Sequence, residues 1–151
     1  ELLEKVMGLE RYGAEGDFVR FVAPADIGSV VDVRMTSGEP GRMGVGMVHH
    51  IAWRAADSEE QLEWQRHIAA HGYAVTDVQD RNYFDAIYFR EQGEILFEIA
   101  TDPPGFAHDE SHETMGSKLM LPEKYEAYRE RLNRRLIPFQ VRELDGDLSS
   151  E

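Results

Sequence analysis

The sequence predicts an α+β fold in which one β-rich unit occurs twice, the first time incompletely, before a C-terminal helix. Three observations carry this. A chain of 151 residues that is 42% hydrophobic and 10% aromatic has the material for one core, shared by one domain or two small modules. From Met47 onward the pattern reads strand, helix and three strands, and before Thr36 it reads helix and three strands, the same order without its first strand. The strand-like stretches are rich in β-branched and aromatic residues, as in Ser29-Val30-Val31-Asp32-Val33-Arg34-Met35.

In order, Leu2, Leu3 and Val6 mark the apolar face of a helix that stops at Gly8. It opens on the first residue without a cap, which points to further sequence upstream. Strands are expected over Leu9–Gly13, Phe18–Val22 and Ser29–Met35, with turns at Glu15-Gly16-Asp17 and after Pro24. Thr36 to Gly46 holds four glycines and Pro40 and reads as a linker. A strand follows from Met47 to about Arg54. Ser58, with Glu59 and Glu60 behind it, is placed to cap a helix through Ala69 that ends at Gly72. Strands at Ala74–Val78, Asp85–Arg90 and Glu94–Ala100 complete the second unit, the last two joined by a turn at Gln92-Gly93. Thr101 to Phe106 reads as irregular and the acidic run from His108 to Glu113 as a solvated loop. Pro122 starts a helix over Glu123–Arg135, and Glu143–Glu151 reads as frayed.

Composition narrows the chemistry. With no cysteine, disulfides, thiolate catalysis and Cys-ligated metals are excluded. A transition metal would have to use His, Asp and Glu, which suits Fe(II), Mn(II) or Zn(II). A net charge of −13 argues against nucleic acid and anionic membranes as partners. No apolar run reaches membrane-spanning length and the first residues do not read as a signal peptide, so the expected location is the cytoplasm. Lysine occurs only at Lys5, Lys118 and Lys124. Such an acidic, Lys-poor surface fits a salt-adapted organism and an ordinary acidic cytosolic protein equally well.

The strand Val48-His49-His50-Ile51-Ala52-Trp53 carries two histidines, and Ile95-Leu96-Phe97-Glu98-Ile99-Ala100 carries one carboxylate among apolar neighbours. Side chains alternate along a strand, so His49 and His50 face opposite ways and only one can join a site on a given face. Alternation does not choose between them. Glu98 is either a solvated charge on a half-exposed strand or a buried carboxylate that needs a partner.

A βαβββ unit with His on its first strand and Glu on its last resembles the vicinal oxygen chelate superfamily of glyoxalases and extradiol dioxygenases. More narrowly, the segments Gly44 to Trp53, Asp80-Arg81-Asn82-Tyr83-Phe84, Ile87-Tyr88-Phe89-Arg90-Glu91 and Leu96 to Phe106, with its Asp-Pro-Pro-Gly-Phe tail, resemble hydroquinone-type ring-cleaving dioxygenases. Lys118-Leu119-Met120-Leu121-Pro122 fits as well. The resemblance implies a non-haem Fe(II) enzyme, with Mn(II) or Zn(II) as alternatives, that opens hydroquinone-like rings with O2. It makes His50 and Glu98 the metal ligands and His49 an acid–base or hydrogen-bonding neighbour. It also places Arg81 against an anionic substrate oxygen and Tyr88 beside the substrate.

The chain departs from that pattern in one respect. The family's facial site uses two histidines and a carboxylate, and its other histidine lies in an N-terminal module. The resemblance therefore divides this chain into a partial module (1–43), a complete ligand-bearing module (44–106) and a C-terminal loop, helix and tail (107–151), together the C-terminal half of such an enzyme. The expectation is little activity from this polypeptide alone, and association with an N-terminal half or with itself. His108 and His112, in the acidic loop, are poor candidates for the third ligand. The competing readings are a glyoxalase-like isomerase or lyase, told apart by its metal and by indifference to O2, and a non-catalytic binding module on the same scaffold.

Overall fold

A computed structural model of the chain describes residues 1–36, 38–39 and 41–138. It is an α+β fold with two sheets. The smaller is an antiparallel meander of β1 (Glu10–Glu15), β2 (Phe18–Val22) and β3 (Val30–Arg34), in the order β1-β2-β3. The larger contains β4 (Ile51–Ala55), β5 (Gln79–Asp80), β6 (Phe84–Arg90) and β7 (Leu96–Pro104), in the order β4-β7-β6-β5. β4 runs parallel to β7, and β6 is antiparallel to both β7 and β5. The strands that carry His50 and Glu98 are thus direct neighbours, and the predicted sequence of helix and strands holds in both units.

The helix between β4 and β5 is α1 (Ser58–Ala70). Its cap is Asp57 rather than Ser58: Asp57 Oδ1 accepts from the Glu60 amide at 2.9 Å, and Glu60 Oε2 accepts from the Ala56 amide at 2.6 Å. Gly72, at φ +87°, turns the chain out of the helix where a side chain would be strained. Ile68 and Gln61, two turns apart on one face, pack on the sheet side made by Ala55, Ile87, Phe89, Phe97 and Ile99, all buried. The rings of Phe89 and Phe97 meet edge to face at 5.4 Å. The N-terminal helix is a single π-helical turn, Leu2–Val6, whose Leu2, Leu3 and Val6 join Leu9 and Phe21 in the same core and tie the two sheets together.

Gln61 is fully buried. Its carboxamide donates to the Asp85 and Ile99 carbonyls, both at 2.8 Å, at the point where the register of β6 against β7 shifts. Gln61→Leu would take the side-chain donor from one buried and one half-buried carbonyl, and the expected loss is on the order of 2 kcal/mol. Urea unfolding reads this as a lower midpoint at unchanged slope. An unchanged midpoint would mean that the two carbonyls find other donors.

Several boundaries differ from expectation. β4 begins at Ile51, not Met47: its ladder with β7 opens at the pair Ile51–Phe97, one residue into β7. His49 and His50 therefore stand at the mouth of the sheet, just before the ladder. The Ala74–Val78 strand reduces to one bridge, Val75 with Phe89. There the Thr76 hydroxyl accepts the Tyr88 amide at 3.0 Å, while Gln65 Nε2 donates to the Thr76 carbonyl at 2.7 Å. β7 runs on through Pro104, which opposes Phe84, where irregular chain was expected. The final helix splits into a 3₁₀ stretch, Glu123–Tyr128, and α2 (Arg129–Arg135). Residues Glu143–Glu151, expected to fray, lie outside the described residues. Among the described residues no helix is long and apolar enough to cross a membrane.

Candidate metal centre

The face of the larger sheet opposite α1 carries the site. Register decides which side chains share it. Ala52 on β4 and Tyr88 on β6 both stand opposite Glu98 on β7, so these three residues face one way. His50, two residues before Ala52, continues that face past the end of the ladder. His49 alternates away from it in sequence, yet its imidazole turns back onto its neighbour.

Glu98 is only 3% exposed. A buried carboxylate needs its charge and lone pairs satisfied. Its Oε2 lies 2.7 Å from His50 Nε2, and its Oε1 accepts a short bond from the Tyr88 hydroxyl. The His50 ring is crossed by His49 at 5.1 Å between centroids, with the two Nδ1 atoms 2.9 Å apart. Arg81 Nε donates to the Tyr88 oxygen at 3.2 Å, and its guanidinium carbon lies 5.2 Å from the centre of the Tyr88 ring. Arg81, Tyr88, Glu98, His50 and His49 thus form one continuous polar chain across the sheet. All five residues singled out in the sequence are in it.

Burial and the bond given to Glu98 push the Tyr88 hydroxyl above its ordinary range, against a smaller opposing effect of Arg81. Tyr88 is therefore a protonated donor at neutral pH. That hydroxyl is given to Glu98, while the ring of Tyr88 stays beside His50. Tyr88 lies as many residues before Gly93 as Glu98 lies after it. A two-stranded hairpin about that turn brings them opposite each other, so the sequence contained the signal. Thr76, which holds the Tyr88 backbone, and Gln61, bonded to the carbonyl of the residue after Glu98, had no such signal.

A first-row metal bound at about 2.1 Å by two ligands at right angles holds their donor atoms about 3.0 Å apart. The separation of His50 Nε2 and Glu98 Oε2 is close to that. With His49 against Nδ1, the second nitrogen of His50 is already hydrogen-bonded, the usual setting of a histidine that ligates through Nε2. The pair fits two of the three ligand positions of a facial site. Among the described residues no third His, Asp or Glu joins them, so neither His108 nor His112 completes the set.

Known proteins bear on this geometry. The model of the glyoxalase/bleomycin resistance protein/dioxygenase superfamily matches residues 2–107. MhqO of Bacillus subtilis (strain 168), which carries the name of a ring-cleaving dioxygenase, is 67% identical over 145 residues, covering 96% of this chain and 46% of MhqO. The chlorohydroquinone/hydroquinone 1,2-dioxygenase of Sphingobium indicum is 33% identical over 137 residues, covering 87% of this chain and 42% of that enzyme. A crystal structure described as a dioxygenase of Bacillus subtilis subsp. subtilis str. 168 superposes with a TM-score of 0.88 at 67% identity, over 95% of this chain and 46% of that one. The fosfomycin resistance protein FosX of Listeria monocytogenes, solved with Mn(II) and sulfate, shares the fold, with a TM-score of 0.54 at 21% identity over 68% of this chain and 78% of FosX. This chain spans about half the length of the curated relatives it matches. The chain belongs to the glyoxalase/bleomycin resistance protein/dioxygenase superfamily.

Proposed function

We propose that this chain forms the ligand-bearing half of a non-haem Fe(II) ring-cleaving dioxygenase of extradiol type acting on hydroquinone-like aromatics. The observation that carries the proposal is the buried Glu98 carboxylate with His50 Nε2 on one oxygen and the Tyr88 hydroxyl on the other. The names of MhqO and of the Sphingobium indicum enzyme support the reaction class. His50 and Glu98 hold the metal in this reading; Mn(II) and Zn(II) suit the same donors. Fe(II) bound there supplies the redox chemistry that joins O2 to an electron-rich ring. A third donor comes from an N-terminal half or from a second copy.

The protein's own groups divide the remaining work. Tyr88 fixes one Glu98 oxygen and leaves the other to the metal. His50 Nε2 and Glu98 Oε2 lie 2.7 Å apart, so a metal held by the pair would take the place of that direct contact. His49 holds the His50 ring through Nδ1 and lies near enough to take or return a proton during turnover. Arg81, whose guanidinium meets Tyr88 through the 3.2 Å bond and the ring face, can swing onto a phenolate oxygen.

The test uses the chain together with its N-terminal counterpart. Arg81→Ala is expected to raise KM for hydroquinone by roughly 10-fold or more, the value of a lost charge-assisted bond of about 1.5–3 kcal/mol, with metal content unchanged. Metal lost at unchanged KM would refute the role of Arg81. Turnover without O2 uptake would replace the dioxygenase reading with the isomerase one.

A further inference from the structure

Tyr88 sits where the outer edge of β6 has no regular partner. β5 pairs only at Gln79–Ala86 and Asp80–Asp85, and the chain before it meets β6 at the single bridge of Val75 with Phe89. Thr76 spans the gap. Next to that bridge, Thr76 and Tyr88 would exchange two backbone bonds in a regular antiparallel ladder. They make one: the Thr76 amide donates to the Tyr88 carbonyl at 3.0 Å. The Thr76 carbonyl turns instead to α1, where Gln65 Nε2 donates to it at 2.7 Å. The Tyr88 amide is left to the Thr76 hydroxyl, which accepts it at 3.0 Å. A side-chain oxygen thus stands in for a backbone acceptor, at the residue whose own hydroxyl bonds Glu98.

We propose that Thr76 is a positioning residue of the metal site: its hydroxyl fixes the backbone of Tyr88, so that the Tyr88 hydroxyl reaches Glu98 Oε1 and keeps Oε2 toward His50 Nε2. The proposal rests on the reading of His50 and Glu98 as metal ligands. Two observations carry it. Glu98 is buried, so few polar groups set its orientation, and Tyr88 supplies the contact on the oxygen that His50 does not touch. Groups that hold a ligand in this way set its geometry and its affinity for metal together. The gap in the ladder is the second observation, because no strand there stands ready to replace a lost Thr76 oxygen. Thr76→Val keeps the branched shape and removes the acceptor; Thr76→Ser keeps the acceptor and removes only a methyl group. A bond that served the strand alone would affect stability and leave the metal untouched.

Two measurements on the chain test it. In the metal-free chain, with tyrosine isotope-labelled at Cζ, NMR reads the bond that the Tyr88 hydroxyl makes; the resonance is assigned by its loss in Tyr88→Phe. Thr76→Val should move that resonance and Thr76→Ser should leave it in place. Zn(II) titration then reads the site. Thr76→Val should weaken binding by about tenfold, the low end for a group that supports a ligand, and Thr76→Ser should bind as the parent chain does. In the Tyr88→Phe background Thr76→Val should have no further effect, because Thr76 acts through the Tyr88 hydroxyl. Thr76→Ala makes the same test where Thr76→Val does not fold. An unmoved resonance in Thr76→Val would overturn the proposal, as would an equal loss of affinity with and without the Tyr88 hydroxyl. The same loss in Thr76→Ser would assign the effect to packing of the methyl group and overturn it too. Zn(II) binding indifferent to His50→Ala would sink the metal reading, and with it the role of Thr76 at the metal, even where the resonance moves.

Discussion

Glu98→Gln is expected to weaken Fe(II) or Zn(II) binding by at least about 100-fold, more than the 10–100-fold typical of losing a group that merely supports a ligand. The carboxamide has nearly the same shape, so the sheet is kept. What it lacks is the negative charge. A carboxylate oxygen offers charge and a hard donor to the metal, and a neutral amide oxygen offers only a dipole. Tyr88 can still donate to the amide oxygen, which turns the NH2 group toward His50. Metal affinity should fall while the unfolding midpoint moves little or rises, because the buried charge has gone. Anaerobic titration calorimetry alongside urea unfolding separates the two effects. Unchanged affinity with intact structure would remove Glu98 from the ligand set.

Phe89→Ala should cost about 3–5 kcal/mol. Phe89 is among the largest side chains fully enclosed in the core; it packs against Phe97 at 5.4 Å and Tyr73 at 5.8 Å. It also sits beside Tyr88 on β6, opposite Phe97, which precedes Glu98 on β7. A cavity there loosens the two strands that set the Tyr88–Glu98 register. The expected drop in melting temperature is roughly 10 °C or more for a chain of this size. A drop of only a few degrees would mean that the surrounding side chains collapse into the space.

The fold was legible in the sequence wherever composition and turn chemistry acted locally. β-branched runs marked β3, β-branched and aromatic residues marked β6 and β7, and Ser58 with the acids behind it marked the start of α1 to within a residue. The parallel pairing of β4 with β7 was not readable residue by residue. It is a contact over more than forty positions, and only the resemblance to a βαβββ unit supplied it. The same pairing decides what alternation left open at the histidines. Once Ala52 stands opposite Glu98, His50 shares the Glu98 face and His49 does not. The burial of Glu98 followed from that register too; from sequence alone the residue could equally have faced solvent. Thr76 and Gln61 stayed hidden for a different reason. Each acts through a side-chain bond to distant backbone, and neither a Thr at the end of a helical connection nor a Gln on a helix face carries a pattern.

X-ray absorption at the metal edge of the Fe(II)- or Zn(II)-loaded chain tests the central claim, that His50 and Glu98 are two of the three protein ligands of a metal site. The account predicts one imidazole nitrogen, with the remaining neighbours oxygen. It predicts that the imidazole signature vanishes in His50→Ala and persists in His49→Ala. Loss of the signature in His49→Ala alone, or a metal bound through two imidazoles of the described residues, would contradict it.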